Sequence, residues 1–245
     1  MIETTEHDGV AVLRLDHGPV NALDLDLLAA LPQTLAGVAD ARAVVLVGND
    51  RCFSAGVDLK RIADGGAPYV ADFLPALSTA VLALFDHPRP VVAAVNGHAL
   101  AGGCVLAAAC DLRLMSGGTI GLTELAAGVP FPTVPLEIMR HAVGPAADHL
   151  VLTGRRLDPV TAAAIGLIHH TVEPGELLAT ALRHATQLAA APPEVYALSK
   201  AQLHRPAQER IDIGRRLDEE HVHRLWSAPS LSRALRDYLA TLAKP

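Results

Sequence analysis

The stretch from Val91 to Asp111, VVAAVNGHALAGGCVLAAACD, constrains the fold of this chain more than any other feature. It opens with a short apolar run rich in β-branched valine, preceded by two prolines, which predicts a buried strand. Asn-Gly then turns the chain, and Gly102-Gly103 leaves bare backbone in front of an apolar segment able to form a helix. The first amides of such a helix have no partner within it and attract negative charge. The stretch therefore predicts a buried strand that leads into an amide-rich loop.

Strands, loops and helices alternate along the first two thirds of the chain. Ile2 to Glu6 and Val10 to Leu15 flank an Asp-Gly turn, which predicts a β-hairpin. Ala43 to Val47 predicts another buried strand, and a second loop of small residues, Asn49 to Asp58, follows it before a helix begins at Leu59. This alternation predicts an α/β fold.

The chain becomes mostly helical after a rigid, proline-rich loop from Gly128 to Pro135. A helix from Pro159 to Gly166 and a last strand from Ile168 to Val172 are predicted first. From Pro174 onward four helices are predicted, at Glu176 to Ala190, Pro193 to Leu203, a separate polar helix ending at Trp226, and Leu231 to Ala243. No repeat or linker indicates a separately folded domain. Within the chain we distinguish a core of residues 1–190 and a helical C-terminal segment of residues 191–245.

Composition excludes several classes of protein. A net charge of −6 with no basic patch argues against a nucleic-acid partner. The three cysteines are an odd number, and two of them lie in an apolar segment, so a disulfide framework is not expected. A reducing compartment is expected instead. The N-terminus has no apolar targeting segment, and polar residues and glycines interrupt the run after Val91, so neither a signal peptide nor a membrane span is expected. A globular cytoplasmic protein is predicted, without a metal site, since its paired histidines lack acidic or cysteine partners.

Two backbone loops suggest a chemistry. Ser54 to Asp58 and Ala101 to Gly103 each follow a predicted strand and can present a backbone N–H to the same oxygen. Two such donors form an oxyanion hole, which stabilises negative charge that develops in a transition state. The alternative is that both glycine turns are only tight connections in a packed core.

Two motifs resemble the enoyl-CoA hydratase/isomerase, or crotonase, superfamily: FSAGVDLKRI from Phe53 to Ile62, and NGHALAGGCVLAAACDLRL from Asn96 to Leu114. The resemblance extends along almost the whole chain. It implies a spiral of ββα units, a helical C-terminal trimerisation segment, acyl-CoA thioester substrates and no cofactor beyond the coenzyme A of the substrate. It also implies that the two oxyanion amides belong to Val57 and Gly102.

Within this superfamily the acidic residues at the site determine the reaction. Hydratases carry a glutamate two residues after the glycine run, where this chain has Val105, whereas their second glutamate is matched by Glu124 in the segment IGLTE. The pattern is similar to that of mitochondrial-type Δ3,Δ2-enoyl-CoA isomerases, which also lack the first glutamate and share PVNALDLDLL at Pro19 to Leu28. The resemblance implies that Glu124 moves a proton from C2 to C4 of a 3-enoyl-CoA, as in fatty-acid β-oxidation.

Further residues are expected to surround the substrate. An apolar wall of Val105, Leu125, Val129 and Phe131 is expected to raise the proton affinity of Glu124. Contacts to the CoA phosphates are expected from Lys60, Arg61 or Lys200, each equally well explained as a solvated charge. The resemblance implies substrate-binding positions at Ala55, Gly56, Asp58, Leu59, Lys60, His98 and Gly103.

The sequence also allows alternatives to the isomerase. A 2-enoyl-CoA hydratase or related lyase could use Glu137, or an ordered water, as the second group. A non-catalytic scaffold with the same fold is a third possibility, although the two glycine loops and Glu124 argue against it. His98 is more simply a structural histidine, and Asp111 is expected to bond backbone in the core. The family resemblance further implies a homotrimer or a hexamer.

Overall fold

A computed structural model describes residues 1–242, which fold into two sheets surrounded by helices. The strands of this part of the chain are β1 Ile2–His7, β2 Val10–Leu15, β3 Ala43–Val47, β4 Cys52–Ser54, β5 Val91–Val95, β6 His98–Leu100, β7 Leu112–Met115, β8 Ile120–Gly121, β9 Arg156–Leu157 and β10 His170–Thr171. The helices are α1 Leu25–Gly37, α2 Leu59–Phe85, α3 Gly102–Ala108, α4 Thr133–Val143, α5 Ala146–Thr153, α6 Pro159–Ala164, α7 Leu177–Leu188, α8 Pro193–Trp226 and α9 Pro229–Leu242.

The larger sheet has the strand order β1-β2-β3-β5-β7-β10 and is parallel except for the β1–β2 hairpin. The hairpin prediction is confirmed, since Asp8 and Gly9 both adopt positive φ, 50° and 79°, as a tight two-residue turn requires. The central strands β3 and β5 are fully buried because helix α7 covers one face of the sheet and the main core covers the other.

The smaller sheet has the order β4-β6-β8-β9, in which β4, β6 and β8 run parallel. Three successive units repeat one pattern, in which a strand of the larger sheet is followed by a short strand of the smaller sheet and then by a helix. These units are β3-β4-α2, β5-β6-α3 and β7-β8-α4. The predicted α/β fold of ββα units is confirmed.

Helix α2 joins two helical pieces at Gly66, whose φ of 57° is not helical. Its length and composition alone would allow it to cross a membrane. However, Val70, Phe73, Leu77 and Val81 lie in the main hydrophobic core, so the helix packs as a core element of the described chain.

The C-terminal helices fold back onto the core. The sequence predicted a break between Leu203 and the helix ending at Trp226, and this was wrong: α8 is continuous. Pro206 removes one helical hydrogen bond, but the helix keeps one buried face across it, formed by Lys200, His204, Ala207 and Ile211. Helix α9 buries Leu231 and Leu235 in the main core, and the predicted end of this helix, Ala243, lies outside the described residues.

Candidate active site

Three loops leave the carboxyl ends of the adjacent parallel strands β4, β6 and β8. Residues 55–58 follow β4, residues 101–103 follow β6 and residues 122–124 follow β8. Neighbouring strands lie about 4.8 Å apart, so loops at the same edge of a sheet are brought together. A hydrogen bond from the Ala101 amide to the Gly121 carbonyl, 2.8 Å long, joins the second loop to the third.

The Val57 amide is directed away from its neighbouring strand segment. Leu23 pairs with Val57 in a parallel bridge, in which the Leu23 amide donates to Gly56 and the Asp58 amide donates to Leu23, at 2.8 and 2.9 Å. In such a bridge the intervening amide points to the opposite side. The Val57 N–H therefore has no backbone partner within residues 1–242 and is free to bind an acceptor.

The Gly102 amide lies in the same small space. Gly102 is the first residue of α3, so its N–H has no partner within the helix. A Cβ atom placed on Gly102 would lie 3.8 Å from the Val57 nitrogen, and one placed on Gly56 would lie 3.2 Å from the Gly102 nitrogen. Ala101 holds an unusual positive φ of 49° just before this amide. The two free amides thus have the proximity that an oxyanion hole requires.

Glu124 is a buried carboxylate beside these loops. Its exposed fraction is 8%, and its Oε2 atom has no hydrogen-bond partner in the described part of the chain. Burial raises the pKa of the Glu124 carboxyl to about 7, because the charged form loses more hydration than the backbone amides of Glu124 and Thr123 replace. The amides of Ala127 and Val129 both donate to the Glu124 carbonyl at 3.0 Å, which fixes the backbone of the residue.

Three of the four residues predicted to form an apolar wall around Glu124 are buried, and the fourth is not. Val105, Val129 and Phe131 are buried in the main core. Leu125 was also expected in this wall, but that expectation was wrong: the side chain is 43% exposed, because the turn that buries Glu124 directs the next residue outward. Cys104 is fully buried nearby, where burial and then the Glu124 charge raise the pKa of its thiol.

Glu137 has a different environment. It is buried, but its two carboxylate oxygens bind Arg140 Nη1 at 2.7 Å and Arg210 Nε at 2.6 Å. The pair with Arg210 joins α4 to α8, whereas the pair with Arg140 lies within α4. Together they occupy the carboxylate that a second acid or base would need to keep free. Glu124 is therefore the buried carboxylate with an unpaired oxygen in the described residues.

A family model described as enoyl-CoA hydratase/isomerase matches residues 5–244. The chain belongs to the enoyl-CoA hydratase/isomerase family. The resemblance drawn from the two sequence motifs is thereby confirmed, and the protein is an enzyme of this family.

Relatives within the enoyl-CoA hydratase/isomerase family have different activities. Human mitochondrial enoyl-CoA delta isomerase 1 is 28% identical over 250 aligned positions, covering 99% of this chain and 83% of that protein. A putative enoyl-CoA hydratase of Thermus thermophilus is 37% identical over 183 positions, which cover 73% of this chain and 72% of that protein. The crystal structure of human mitochondrial Δ3-Δ2-enoyl-CoA isomerase has a TM-score of 0.92 at 27% identity and covers 98% of this chain and 97% of that one. The site residues must therefore distinguish the two activities.

The predicted substrate-binding residues of this family member lie mostly along the first loop. Ala55 is exposed, with its amide bound to the Val20 carbonyl, while Gly56 forms the bend with a φ of 91°. Asp58 caps α2 by accepting from the Arg61 amide at 3.0 Å. Leu59 is half-buried and Lys60 is exposed at the start of that helix. Among these positions, Lys60 has the exposed polar side chain.

Two other predicted substrate-binding residues have structural contacts. His98 is exposed, and its Nδ1 accepts from the Thr119 amide at 3.1 Å, in agreement with a structural histidine. Gly103 packs against β4, where a Cβ would lie only 2.5 Å from the Ser54 carbonyl oxygen. We infer that Gly103 allows α3 to approach β4, while a role of either residue in substrate binding remains a prediction.

The expectation that Lys200 binds a CoA phosphate was wrong. Its ammonium group is buried and forms an ion pair of 2.9 Å with Asp111, whose carboxylate also accepts from the Val91 amide. The expectation that Asp111 bonds backbone is confirmed. Arg61 is also engaged, in ion pairs with Asp24 and Asp26.

Sequence reasoning missed the role of Asn21. This residue is completely buried at a φ of 48°, and its side-chain amide donates to the carbonyls of Cys52 and Phe53 at 3.2 and 3.1 Å. The backbone carbonyl of Asn21 accepts a hydrogen bond from the Ser54 hydroxyl, and this hydroxyl accepts one from the Gly56 amide. Asn21 therefore fixes β4 and the first oxyanion loop, and its place in the motif PVNALD was the available signal.

Proposed function

We propose that this enzyme is a Δ3,Δ2-enoyl-CoA isomerase that converts 3-enoyl-CoA to trans-2-enoyl-CoA. The observation that carries the proposal is the buried Glu124 carboxylate, whose Oε2 atom has no hydrogen-bond partner within the described residues, on a loop beside two free backbone amides. Neither candidate position for a second acid provides a free carboxylate. Val105 is an apolar core residue, and Glu137 is bound by two arginines. One base is sufficient for a proton shift within a single molecule.

The reaction begins when the thioester carbonyl oxygen accepts hydrogen bonds from the Val57 and Gly102 amides. The Glu124 carboxylate removes a proton from C2, and the electrons of the C2–H bond form a dienolate whose negative charge rests on the carbonyl oxygen. Electrons then return from the oxygen through the conjugated system as C4 takes the proton from the Glu124 carboxylic acid. The double bond moves from C3–C4 to C2–C3, and Glu124 is regenerated as a carboxylate.

Each part of the site contributes to lowering the barrier. Removal of one oxyanion donor from an enzyme raises the activation free energy by about 3 kcal/mol. The apolar surroundings of Glu124 raise its proton affinity, so the carboxyl can both remove a weakly acidic C–H proton and retain it until C4 is protonated. The buried side chains of Val105, Val129 and Phe131 exclude water from the site. Water therefore cannot exchange the proton held by Glu124 or attack the intermediate.

The rate of isomerisation is expected to increase with pH through about 7. Because burial raises the pKa of Glu124 to about 7, the base is mostly protonated and inactive at pH 5 and mostly ionised at pH 9. The kcat/KM for 3-hexenoyl-CoA should therefore fall about tenfold per pH unit below the midpoint and level off above it. A midpoint near 4.5, the ordinary value of glutamate, would show that the base is solvated and that this description of the site is wrong.

Hydration of 2-enoyl-CoA is the second candidate activity, because some similar proteins are named as hydratases or dehydratases. One is the putative hydratase of Thermus thermophilus, and others are named carnitinyl-CoA dehydratases. Addition of water requires one group to activate the water and another to manage the proton at C2. Here Glu124 alone would serve both purposes, or an ordered water would replace the second acid.

We also propose that the enzyme acts in fatty-acid β-oxidation in the cytoplasm, as a homotrimer or a hexamer. Exposed apolar side chains on α8 support an oligomer, because Val195, Leu203 and Leu217 are 57%, 70% and 73% exposed. The negative net charge supports small-molecule chemistry rather than a nucleic-acid partner.

A further inference from the structure

A row of three aromatic rings links the C-terminal helices to the site. Trp226, the last residue of α8, stacks on Phe73 with ring centroids 6.2 Å apart, and Phe73 stacks on Tyr69 at 5.8 Å. Trp226 is 3% exposed, and Phe73 is fully buried. We call Tyr69, Phe73 and Trp226 the aromatic row.

Both ends of the aromatic row form hydrogen bonds to segments that adjoin the site. At one end, the Trp226 indole N–H donates to the Pro130 carbonyl at 2.9 Å. Pro130 follows Val129, whose amide donates to the Glu124 carbonyl at 3.0 Å. At the other end, the Tyr69 hydroxyl accepts from the Leu25 amide at 3.3 Å, two residues after the segment that pairs with Val57.

These contacts are suited to fixing the end of the loop that follows Glu124, beyond the turn closed by the Val129 amide. The segment from Gly128 to Pro132 is non-repetitive backbone, and its prolines cannot donate hydrogen bonds. Without the indole N–H, the carbonyl of the half-buried Pro130 would lose the donor that the described structure provides for it. The Val129 amide would still bind the Glu124 carbonyl, but residues 130–132 would be held chiefly by apolar packing of Phe131, which is not directional.

We propose that Trp226 is a positioning residue, whose indole N–H holds the Pro130 loop and thereby sets Glu124 against the amides of Val57 and Gly102. The proposal rests on the proposed function. It assigns to the C-terminal segment a part in the catalytic site of its own chain, in addition to any part in assembly. A tryptophan that served only as core filling would need its ring but not its N–H.

The variant Trp226→Phe tests this, because it retains an aromatic ring and removes the donor. We expect kcat for 3-hexenoyl-CoA to fall about tenfold while KM changes by less than about twofold, since one hydrogen bond that fixes the base is lost. The midpoint of the rate against pH should also move downward, because a looser loop admits water to Glu124. Unchanged kcat and an unchanged midpoint would overturn the proposal.

The control is Phe85→Leu, which removes a buried ring that stacks on His204 at 3.6 Å rather than on the aromatic row. It should lower thermal stability without changing kcat or the pH midpoint. If it reduces kcat as much as Trp226→Phe at matched stability, general loosening explains both results and the proposal fails.

A readout independent of activity separates this proposal from the proposed function. Trp226 is the single tryptophan of the sequence, so the protein has one indole N–H resonance. We expect this proton to exchange slowly with solvent, and Trp226→Phe to increase hydrogen exchange in residues 124–132 more than Phe85→Leu does. Isomerisation by the wild type without that protection would refute the positioning role alone, whereas protection in a protein that does not isomerise would refute the proposed function alone.

Discussion

Replacing Glu124 by glutamine is expected to reduce isomerisation of 3-hexenoyl-CoA by roughly 10³-fold, because the amide cannot accept the C2 proton. Binding of the acyl-CoA should change little, since the oxyanion amides are backbone groups and the side chain keeps its shape. The measurement is kcat and KM by formation of the 2-enoyl thioester, with binding of a saturated acyl-CoA followed by calorimetry.

Glu137→Gln is the matched control, as Glu137 is also a buried glutamate but is bound to Arg140 and Arg210. It should reduce stability by about 1–3 kcal/mol, because two charge-assisted hydrogen bonds are weakened, and leave kcat near the wild-type value. Loss of isomerisation in Glu137→Gln with activity retained in Glu124→Gln would reverse the assignment of the base.

Glu124→Gln is also expected to change how the stability of the protein depends on pH. The folded state holds the proton of Glu124 more tightly than the unfolded state, because burial raises the pKa from 4.5 to about 7. Wild-type stability therefore includes a favourable contribution at low pH that is lost as pH rises between those values, amounting to about 3 kcal/mol. The Glu124→Gln variant should lack this loss, so its stability relative to wild type should increase over that interval.

Replacing Gly56 by alanine is expected to reduce kcat/KM by about 10²-fold or more, because it disturbs the pair of oxyanion amides. Gly56 has a φ of 91°, and an added Cβ would lie 2.6 Å from the Leu100 carbonyl oxygen and 3.2 Å from the Gly102 nitrogen. The loop that carries Val57 must then move away from the loop that carries Gly102.

Gly166→Ala separates this effect from backbone strain. Gly166 also has a positive φ, 75°, but no atom lies within 4 Å of an added Cβ there. Both variants should lose about 1–2 kcal/mol of stability from the left-handed backbone, whereas only Gly56→Ala should lose activity. A folded Gly56→Ala protein with wild-type kcat/KM would show that the two amides do not act together.

Much of the fold was predictable because its signals are local. The valine-rich strands β3 and β5, the Asp8-Gly9 hairpin and the Gly102-Gly103 loop each depend on residues close together in the sequence. The parallel sheet then brought the loops after β4, β6 and β8 to one edge, which two motifs in the expected order already indicated.

Two of the expectations that failed concern contacts between distant residues. Glu137 was a candidate acid until Arg210, 73 residues later, was found to bind it, and Lys200 was a candidate phosphate ligand until Asp111 was found beside it. The hydrogen bond from Trp226 to Pro130 spans 96 residues and has no local signal. Charge pairing and capping of loop carbonyls depend on tertiary packing, which periodicity does not encode.

The most direct test of the one-base mechanism compares 3-hexenoyl-CoA and crotonyl-CoA with the same enzyme preparation. Formation of 2-enoyl-CoA from the first and addition of water to the second are followed separately. We predict that isomerisation is faster than hydration by about 10²-fold or more, because the second acid that activates water is missing at Val105. Hydration of crotonyl-CoA at a rate comparable to isomerisation would contradict the proposal that Glu124 acts alone.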